Sequence, residues 1–387
     1  MSKPTKECLS IGVGRLVEFA CRAGDLFFDA PAGPTAQEGI RAHKKLQKQA
    51  EAGSEAEVSL KVELSERYSA YAVTLQGRVD LLYPAEDLLS LPLLEEIKTT
   101  YVGIEHISEG QQALHWAQLK IYGYLYALQQ LDEQGERHSE IALRMHWYNL
   151  KTKTSYYDKQ IFSIEALKTF AEDALKIYCQ WQRQVHDQQR ETRQGAKTLD
   201  FPFPSYRQGQ REMAVTVYRS LRDQRPAMLE APTGIGKTIS SIYPALKALG
   251  ENEVDKVVYL TAKNSGRQVV LETLARLSSE TFQPSALVLK ARALSCACRT
   301  GGCERDDSGR CPFTLGFYDR LPEARQALLA RRVLSPEVVA EVGAEFELCP
   351  FELSIHMLPW VTVLVCDFNY VFDPLVGLTY FDDNQER

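Results

Sequence analysis

Eight residues, Ala231-Pro-Thr-Gly-Ile-Gly-Lys-Thr238, leave few choices for the part of the chain around them. They lie between the apolar stretch Ala227 to Leu229 and a helix-patterned run from Ile239 to Leu249. Gly234 and Gly236 let the backbone turn so that successive N–H groups and a helix N-terminus face one anion. Lys237 adds a point charge and Thr238 offers a hydroxyl to Mg²⁺. Strand, loop and helix in that order predict a phosphate-binding loop, with ATP expected on Thr233, Gly234, Ile235, Gly236, Lys237 and Thr238. The first position is Ala231 where the strict pattern has Gly.

A loop of this kind needs a domain around it, and 387 residues suffice for two or three domains of about 100–200 residues. The longest apolar run, Leu358 to Cys366, falls short of the ~20 residues that a membrane helix requires. The N-terminus has no apolar signal core, so a cytoplasmic protein without a membrane partner is expected. Net charge is −6, yet Lys290 to Arg332 holds nine Lys or Arg against five Asp or Glu, a stretch that could face phosphate or only solvent. Five of the nine cysteines lie between Cys296 and Cys349, which in such a chain reads as metal binding before disulfides.

Taken in order, the patterns predict helices at Leu16 to Ala23 and Ala36 to Glu51, and a strand at Val58 to Leu64. Two extended segments around Gln76-Gly77 follow within Tyr71 to Tyr83, then a strand at Leu93 to Lys98. Glu109 to Leu131 reads as a long helix bearing His115, Gln118 and Tyr122. A hairpin from Ile141 to Phe162 precedes a helix from Ile164 to about Gln188, and the polar stretch Gln184 to Lys197 marks the end of a first domain.

Inside that domain Asp80 ends one strand-like segment and Glu96-Ile-Lys98 lies on the next. Side chains alternate on a strand, so Glu96 and Lys98 share a face where Asp80 can join them. Two carboxylates and the Ile97 carbonyl can hold a hard divalent cation, Mg²⁺ or Mn²⁺, and Lys98 can orient or deprotonate a water beside it. An Asp followed by Glu-x-Lys also arises on solvated strands. Its neighbours carry more: Gly77-Arg-Val-Asp80, Glu96-Ile-Lys98 and Gln118-Leu-Lys-Ile-Tyr122 resemble, in that order, the RecB-type branch of the PD-(D/E)xK nucleases. Gly39 to His43 resembles that branch's upstream histidine motif. The resemblance implies metal ligation by His43, Asp80 and Glu96, a catalytic Lys98, and DNA contacts by Gln118 and Tyr122.

Phe201-Pro-Phe-Pro-Ser-Tyr-Arg-Gln-Gly-Gln210 resembles the adenine-reading motif of superfamily-two helicases, which implies Tyr206, Arg207 and Gln210 as ATP contacts. Lys256 to Thr261 reads as a buried parallel strand. The thiolates of Cys296, Cys298, Cys303, Cys311 and Cys349 are soft ligands, enough for zinc or an iron–sulfur cluster. No Cys-x-x-Cys knuckle is present, and Cys349 follows Cys311 by 38 residues, which favours a cluster tying a helical insertion together. Cys349-Pro-Phe-Glu-Leu353 and Cys366-Asp-Phe-Asn-Tyr-Val-Phe-Asp-Pro374 resemble the iron–sulfur helicases related to xeroderma pigmentosum group D protein and DinG. That resemblance implies a [4Fe–4S] cluster on Cys303, Cys311, Cys349 and one of Cys296 and Cys298, with Cys296 favoured. It also implies ATP-driven movement on single-stranded or junction-containing DNA, in DNA repair.

The expected fold is α/β. A PD-(D/E)xK nuclease domain (1–190), a mixed sheet flanked by helices, and a linker (191–205) precede part of a RecA-like P-loop lobe (206–289). A cysteine-rich iron–sulfur insertion (290–358) and a return to the lobe (359–387) complete it. No Asp-Glu-Ala-His box follows an apolar strand, which reads as truncation before the Walker B box and the second lobe. An alternative for such a chain is a DNA-binding or regulatory module with an inactive nuclease fold that binds nucleotide without turnover.

Overall fold

In the computed structural model the described residues are 7–27, 33–64, 71–85, 90–130, 138–262, 264–297, 311–373, 377–378 and 380. The chain divides into two units, Met1–Arg183 and Gln184–Arg387. Both are α/β, and the first holds the mixed sheet that its patterns predict.

In chain order the first unit contains β1 (Glu7–Gly12), α1 (Val13–Ala20), α2 (Ala36–Lys48), β2 (Glu55–Leu64), β3 (Tyr71–Tyr83), β4 (Leu93–Thr100) and α3 (Glu109–Gln129). β5 (Glu140–Asn149), β6 (Ser155–Ser163) and α4 (Ile164–Lys197) follow. The sheet runs β1-β3-β4-β5-β6, with β2 also paired to β3. β1 joins β3, and β4 joins β5, in parallel; the other pairs are antiparallel. Tyr71 to Tyr83 is one continuous strand and not two, because β2 pairs with it from Val73 to Leu82, through Gln76 and Gly77. Long-range pairing there overrides the local signal of a glycine in mid-strand.

Helix α2 begins with a full capping box, Thr35 and Glu38 each satisfying the other's backbone N–H. Helix α3 carries buried side chains on several faces from Leu119 to Ala127, because it lies across the sheet. Successive contacts mark its course: His115 at Trp147 of β5, Gln118 at Lys98 of β4, Tyr122 at Gly77 of β3, and Gln129 at Lys61 of β2. The core below it joins Leu75, Val79 and Leu94 to Leu119, Leu125, Leu143 and Leu167.

The second unit contains the end of α4, then α5 (Gln210–Arg222), α6 (Lys237–Gly250), β7 (Val257–Thr261), α7 (Asn264–Leu277), β8 (Ala286–Val288) and α8 (Arg292–Ser295). α9 (Phe317–Arg331), β9 (Val333–Leu334), α10 (Pro336–Glu345), α11 (Pro350–Met357), β10 (Val363–Asp367) and α12 (Asn369–Phe372) complete it. Its sheet is parallel throughout, in the order β7-β10-β8-β9. The polar stretch expected to end the first domain is helical to Lys197, and Thr192 and Ala196 are buried in this unit. Thr192 donates to the Gln283 carbonyl, and Gly195 lies against the backbone of Thr281 and Phe282.

The strand expected at Ala227 to Leu229 does not form. The segment has no strand pairing among the described residues, and Met228 is fully exposed. Pro226 and Pro232 bracket it and supply no N–H, which leaves five residues to hold a ladder.

Gly77 leaves no room for a side chain. A Cβ there would stand 2.4 Å from Cε1 of Tyr122 and 3.2 Å from Cγ2 of Val13. Gly77→Ala should therefore destabilise the unit by about 1–3 kcal/mol through overpacking. A urea titration followed by aromatic fluorescence measures it, and a midpoint equal to wild type contradicts the packing described.

Candidate active site

β3 and β4 pair only where Leu81, Leu82 and Tyr83 meet Glu95, Leu94 and Leu93. Beyond that point β4 continues beside β5 while β3 continues beside β1 and β2, so the two strands part. Asp80 stands at the parting. Its Oδ2 accepts the Ile97 N–H at 2.7 Å, and its Oδ1 lies 3.1 Å from Nδ1 of His43 on α2. Gln47, one turn further along α2, donates to the Asp80 carbonyl.

Glu96 and Lys98 occupy the same face of β4, as strand alternation requires. Lys98 Nζ donates to Glu96 Oε1 at 2.8 Å and to Gln118 Oε1 at 3.0 Å. Gln118 in turn donates through Nε2 to the Tyr122 hydroxyl at 2.9 Å, which fixes the orientation of the amide. Tyr122 is buried, so its hydroxyl acts on Gln118 inside the protein. Glu96 Oε2 is buried and has no hydrogen-bond partner. Such an oxygen costs about 1–3 kcal/mol if left unsatisfied, and a hard divalent cation would satisfy it. Among the described residues no three His, Cys, Asp or Glu side chains close into one cage, and His43 is joined to Asp80 alone.

Burial raises the Glu96 carboxyl to about 7; Lys98 pulls against this and Asp80 adds to it. Burial opposes the charged form of His43, but the hydrogen bond and charge of Asp80, with the charge of Glu96, outweigh it and raise its pKa. Burial, then the charge of Glu96, pushes Tyr122 up to about 12, so it stays a neutral hydroxyl.

Two arrangements here were not read from the sequence: the packing of His115 and the pairings of Glu95. His115, on the same stripe of α3 as Gln118 and Tyr122, packs over Trp147 with its Nδ1 buried and unpartnered, and burial followed by Lys98 lowers its pKa to about 3. On the opposite face of β4, Glu95 holds Arg144 and His146, and His146 reaches Ser155 at 2.7 Å. The alternation Glu95/Glu96 beside the alternation Arg144/His146 on β5 was the available signal, but it required knowing that β4 pairs with β5.

In the second unit the phosphate loop enters α6 at Lys237, with Gly234 and Gly236 at φ +83° and +90°. A Cβ on Gly236 would stand 2.5 Å from Nε2 of Gln210. Gln210 is buried, accepts the Arg207 N–H at 2.9 Å, and thereby ties the loop to the preceding motif. The Arg207 guanidinium donates to the Gly234 carbonyl, Tyr206 stacks on Phe201, and Lys237 is exposed. Of the expected cluster ligands, Cys303, with Cys298, lies outside the described residues. Cys311 and Cys349 are buried, and the Cys349 N–H donates to the Phe313 carbonyl, two residues past Cys311. Burial raises the Cys349 thiol, against the pull of the Glu352 and Phe351 N–H groups. Cys296 is half-buried, and among the described residues these three form no closed metal group.

Residues 29–211 match the family model of the PD-(D/E)XK nuclease superfamily, and residues 252–381 match that of DEAD_2. The chain is 24% identical over 205 residues to the general transcription and DNA repair factor IIH helicase subunit XPD of Dictyostelium discoideum, covering 46% of this chain and 26% of the relative. To regulator of telomere elongation helicase 1 of Bos taurus it is 22% identical over 228 residues, covering 46% and 18%. It thus spans about a quarter or less of the length of these relatives. A solved structure named XPD_Helicase, 16% identical, overlaps 45% of this chain and 30% of its own with a TM-score of 0.31. The chain therefore carries a nuclease-superfamily region followed by a DEAD_2 region, with DNA repair helicases among its relatives. Among the described residues no helix is long and apolar enough to cross a membrane.

A raised carboxyl pKa means that the native state keeps a proton the unfolded state has released. Stability from Glu96 is thus complete below about pH 4.5 and lost as pH rises through about 7. In EDTA, the melting temperature of the first unit should fall over that window in wild type and fall less in Glu96→Gln. Mn²⁺ should restore it above pH 7 in wild type only. Equal pH dependence of the two proteins would contradict the burial of Glu96 as a charged group.

Proposed function

We propose that this nuclease-superfamily and DEAD_2 chain is a divalent-metal-dependent DNA nuclease joined to part of an ATP-dependent iron–sulfur DNA helicase. The observation that carries the nuclease half is the buried, unpartnered Glu96 Oε2 beside a lysine held by two acceptors. Asp80, Glu96 and the Ile97 carbonyl would hold Mg²⁺ or Mn²⁺, with His43 orienting Asp80. A cation bound there would polarise a phosphodiester and lower the pKa of an attacking water. Lys98, with two N–H groups committed to Glu96 and Gln118, has a third to offer a phosphate oxygen or that water. Gln118, itself set by Tyr122, fixes the position of the ammonium; the pair positions Lys98.

In the second unit, Thr233 to Thr238 form the nucleotide's phosphate site, with Tyr206, Arg207 and Gln210 at the base. Cys303, Cys311, Cys349 and Cys296 would hold a [4Fe–4S] cluster. Support for this comes from the hydrogen bond that joins the Cys311 and Cys349 segments, with both cysteines buried.

Labelled single-stranded and duplex DNA with Mn²⁺ tests the nuclease. Wild type should cut, while Asp80→Asn and Lys98→Ala should lose on the order of 10²-fold or more in rate while keeping the circular-dichroism spectrum of the folded wild type. Intact DNA with wild type rejects the assignment and leaves a DNA-binding module. Protein prepared without oxygen should be brown, with absorbance near ~400 nm that Cys349→Ser removes; a colourless, zinc-containing sample overturns the cluster. Lys237→Ala should abolish Mg·ATP binding, followed by calorimetry.

A further inference from the structure

Directly paired residues on neighbouring strands share a sheet face. Lys98 pairs with Trp147, and Trp147 pairs with Tyr156. Lys98, Trp147 and Tyr156 therefore form one row on the catalytic face, and Tyr156 lies two strand spacings, about 10 Å, from Lys98. Trp147 is 4% exposed under the His115 ring, whereas Tyr156 is 51% exposed on edge strand β6. The row ends in an open aromatic.

The turn that joins β5 to β6 lies at the same end of the sheet. Leu150 donates its N–H to the Thr100 carbonyl, two residues past Lys98, so the turn is fastened to the catalytic strand. Asn149 Oδ1 accepts the N–H groups of Lys151 and Thr152, and the Lys153 N–H returns to the Asn149 carbonyl. These bonds fix the backbone of the turn from which two exposed lysines extend. Lys151 Nζ stands 5.3 Å over the ring of Tyr101, which follows β4 directly. Two carboxylates stand near: Glu38, whose oxygens accept from Thr35 and Tyr101, and Asp158, half-buried two residues after Tyr156 on β6.

We propose that Tyr101, Lys151, Lys153 and Tyr156 form a binding surface for a single DNA strand that runs to or from Lys98. The inference rests on the nuclease reading for its direction. Two lysines answer a phosphate backbone, and the exposed ring of Tyr156, with the half-buried ring of Tyr101 under Lys151, answers bases. Only an unpaired strand offers both together, because bases in a duplex are stacked on one another. Tyr157 is excluded, since it turns to the opposite face and its ring packs on His146 at 4.3 Å.

Two readouts separate this surface from the nuclease reading. With Ca²⁺ in place of Mn²⁺, an oligothymidylate bearing 5-iodouracil is photocrosslinked to the full chain and the site is mapped. Crosslinks should fall on Tyr156 or Tyr101 and be suppressed by unlabelled single strands more than by blunt duplex. In Mn²⁺, Lys151→Gln with Lys153→Gln should raise KM for single-strand cleavage about tenfold or more with kcat within about twofold. The salt slope should become shallower by about 1.4, two phosphate contacts fewer. Tyr156→Ala should raise KM about fivefold or more, with recovery in Tyr156→Phe. Lys159→Gln, on the opposite face, serves as control. Crosslinks confined to other segments, unchanged KM, or equal losses on duplex would overturn the surface. Wild-type protein that crosslinks at the hairpin but cuts nothing would overturn the nuclease reading alone.

Discussion

The hydrogen bond from the Ile97 N–H to Asp80 is the contact on which the first unit turns. Where β3 and β4 part, the edge of β4 that faces the gap loses its backbone partner, and a buried N–H without an acceptor would cost about 1–3 kcal/mol. Asp80 supplies that acceptor from a side chain. The split stays open, lined by a carboxylate, and α2 closes over it through His43 and Gln47. A continuous ladder at this point would be better satisfied locally but would leave no room for a ligand between the strands.

Geometry on the face of the candidate site depends on the face behind it. Glu95 fastens β4 to β5 through Arg144 and His146, and the guanidinium of Arg144 also lies over the rings of Tyr83 and Tyr157. Burial works against the Glu95 carboxylate, yet the hydrogen bond from His146 and the charge of Arg144 hold its pKa below the usual range. It remains charged and paired while its sequence neighbour Glu96, turned the other way, is pushed toward the neutral acid. Two adjacent glutamates thus take different roles because a strand sends them into different surroundings.

The second unit repeats the theme of one motif holding another. Gln210 fills the space beside Gly236 and Arg207 holds the Gly234 carbonyl, so the entry into α5 braces the phosphate loop. β9 lies within the stretch expected as an inserted domain, yet it pairs with β8 and continues the sheet.

The sequence by itself determined the α/β class and most of the helices and strands of the first unit, and it named residues that the fold brings together in the candidate site. Period-two and period-3.6 patterns are local, and Asp80, Glu96-Ile-Lys98 and Gln118 to Tyr122 stand at readable spacings. Only the tertiary structure decided which groups meet. Pairing of β2 across Gln76-Gly77 made β3 one strand, and the absence of a ladder for Ala227 to Leu229 left that apolar run exposed. Burial of α4 as far as Ala196 turned a polar tail into part of a core. The course of α3 across the sheet set Gln118 on Lys98 and His115 on Trp147. Each of these rests on contacts between residues far apart in the chain, whose energies no local pattern encodes.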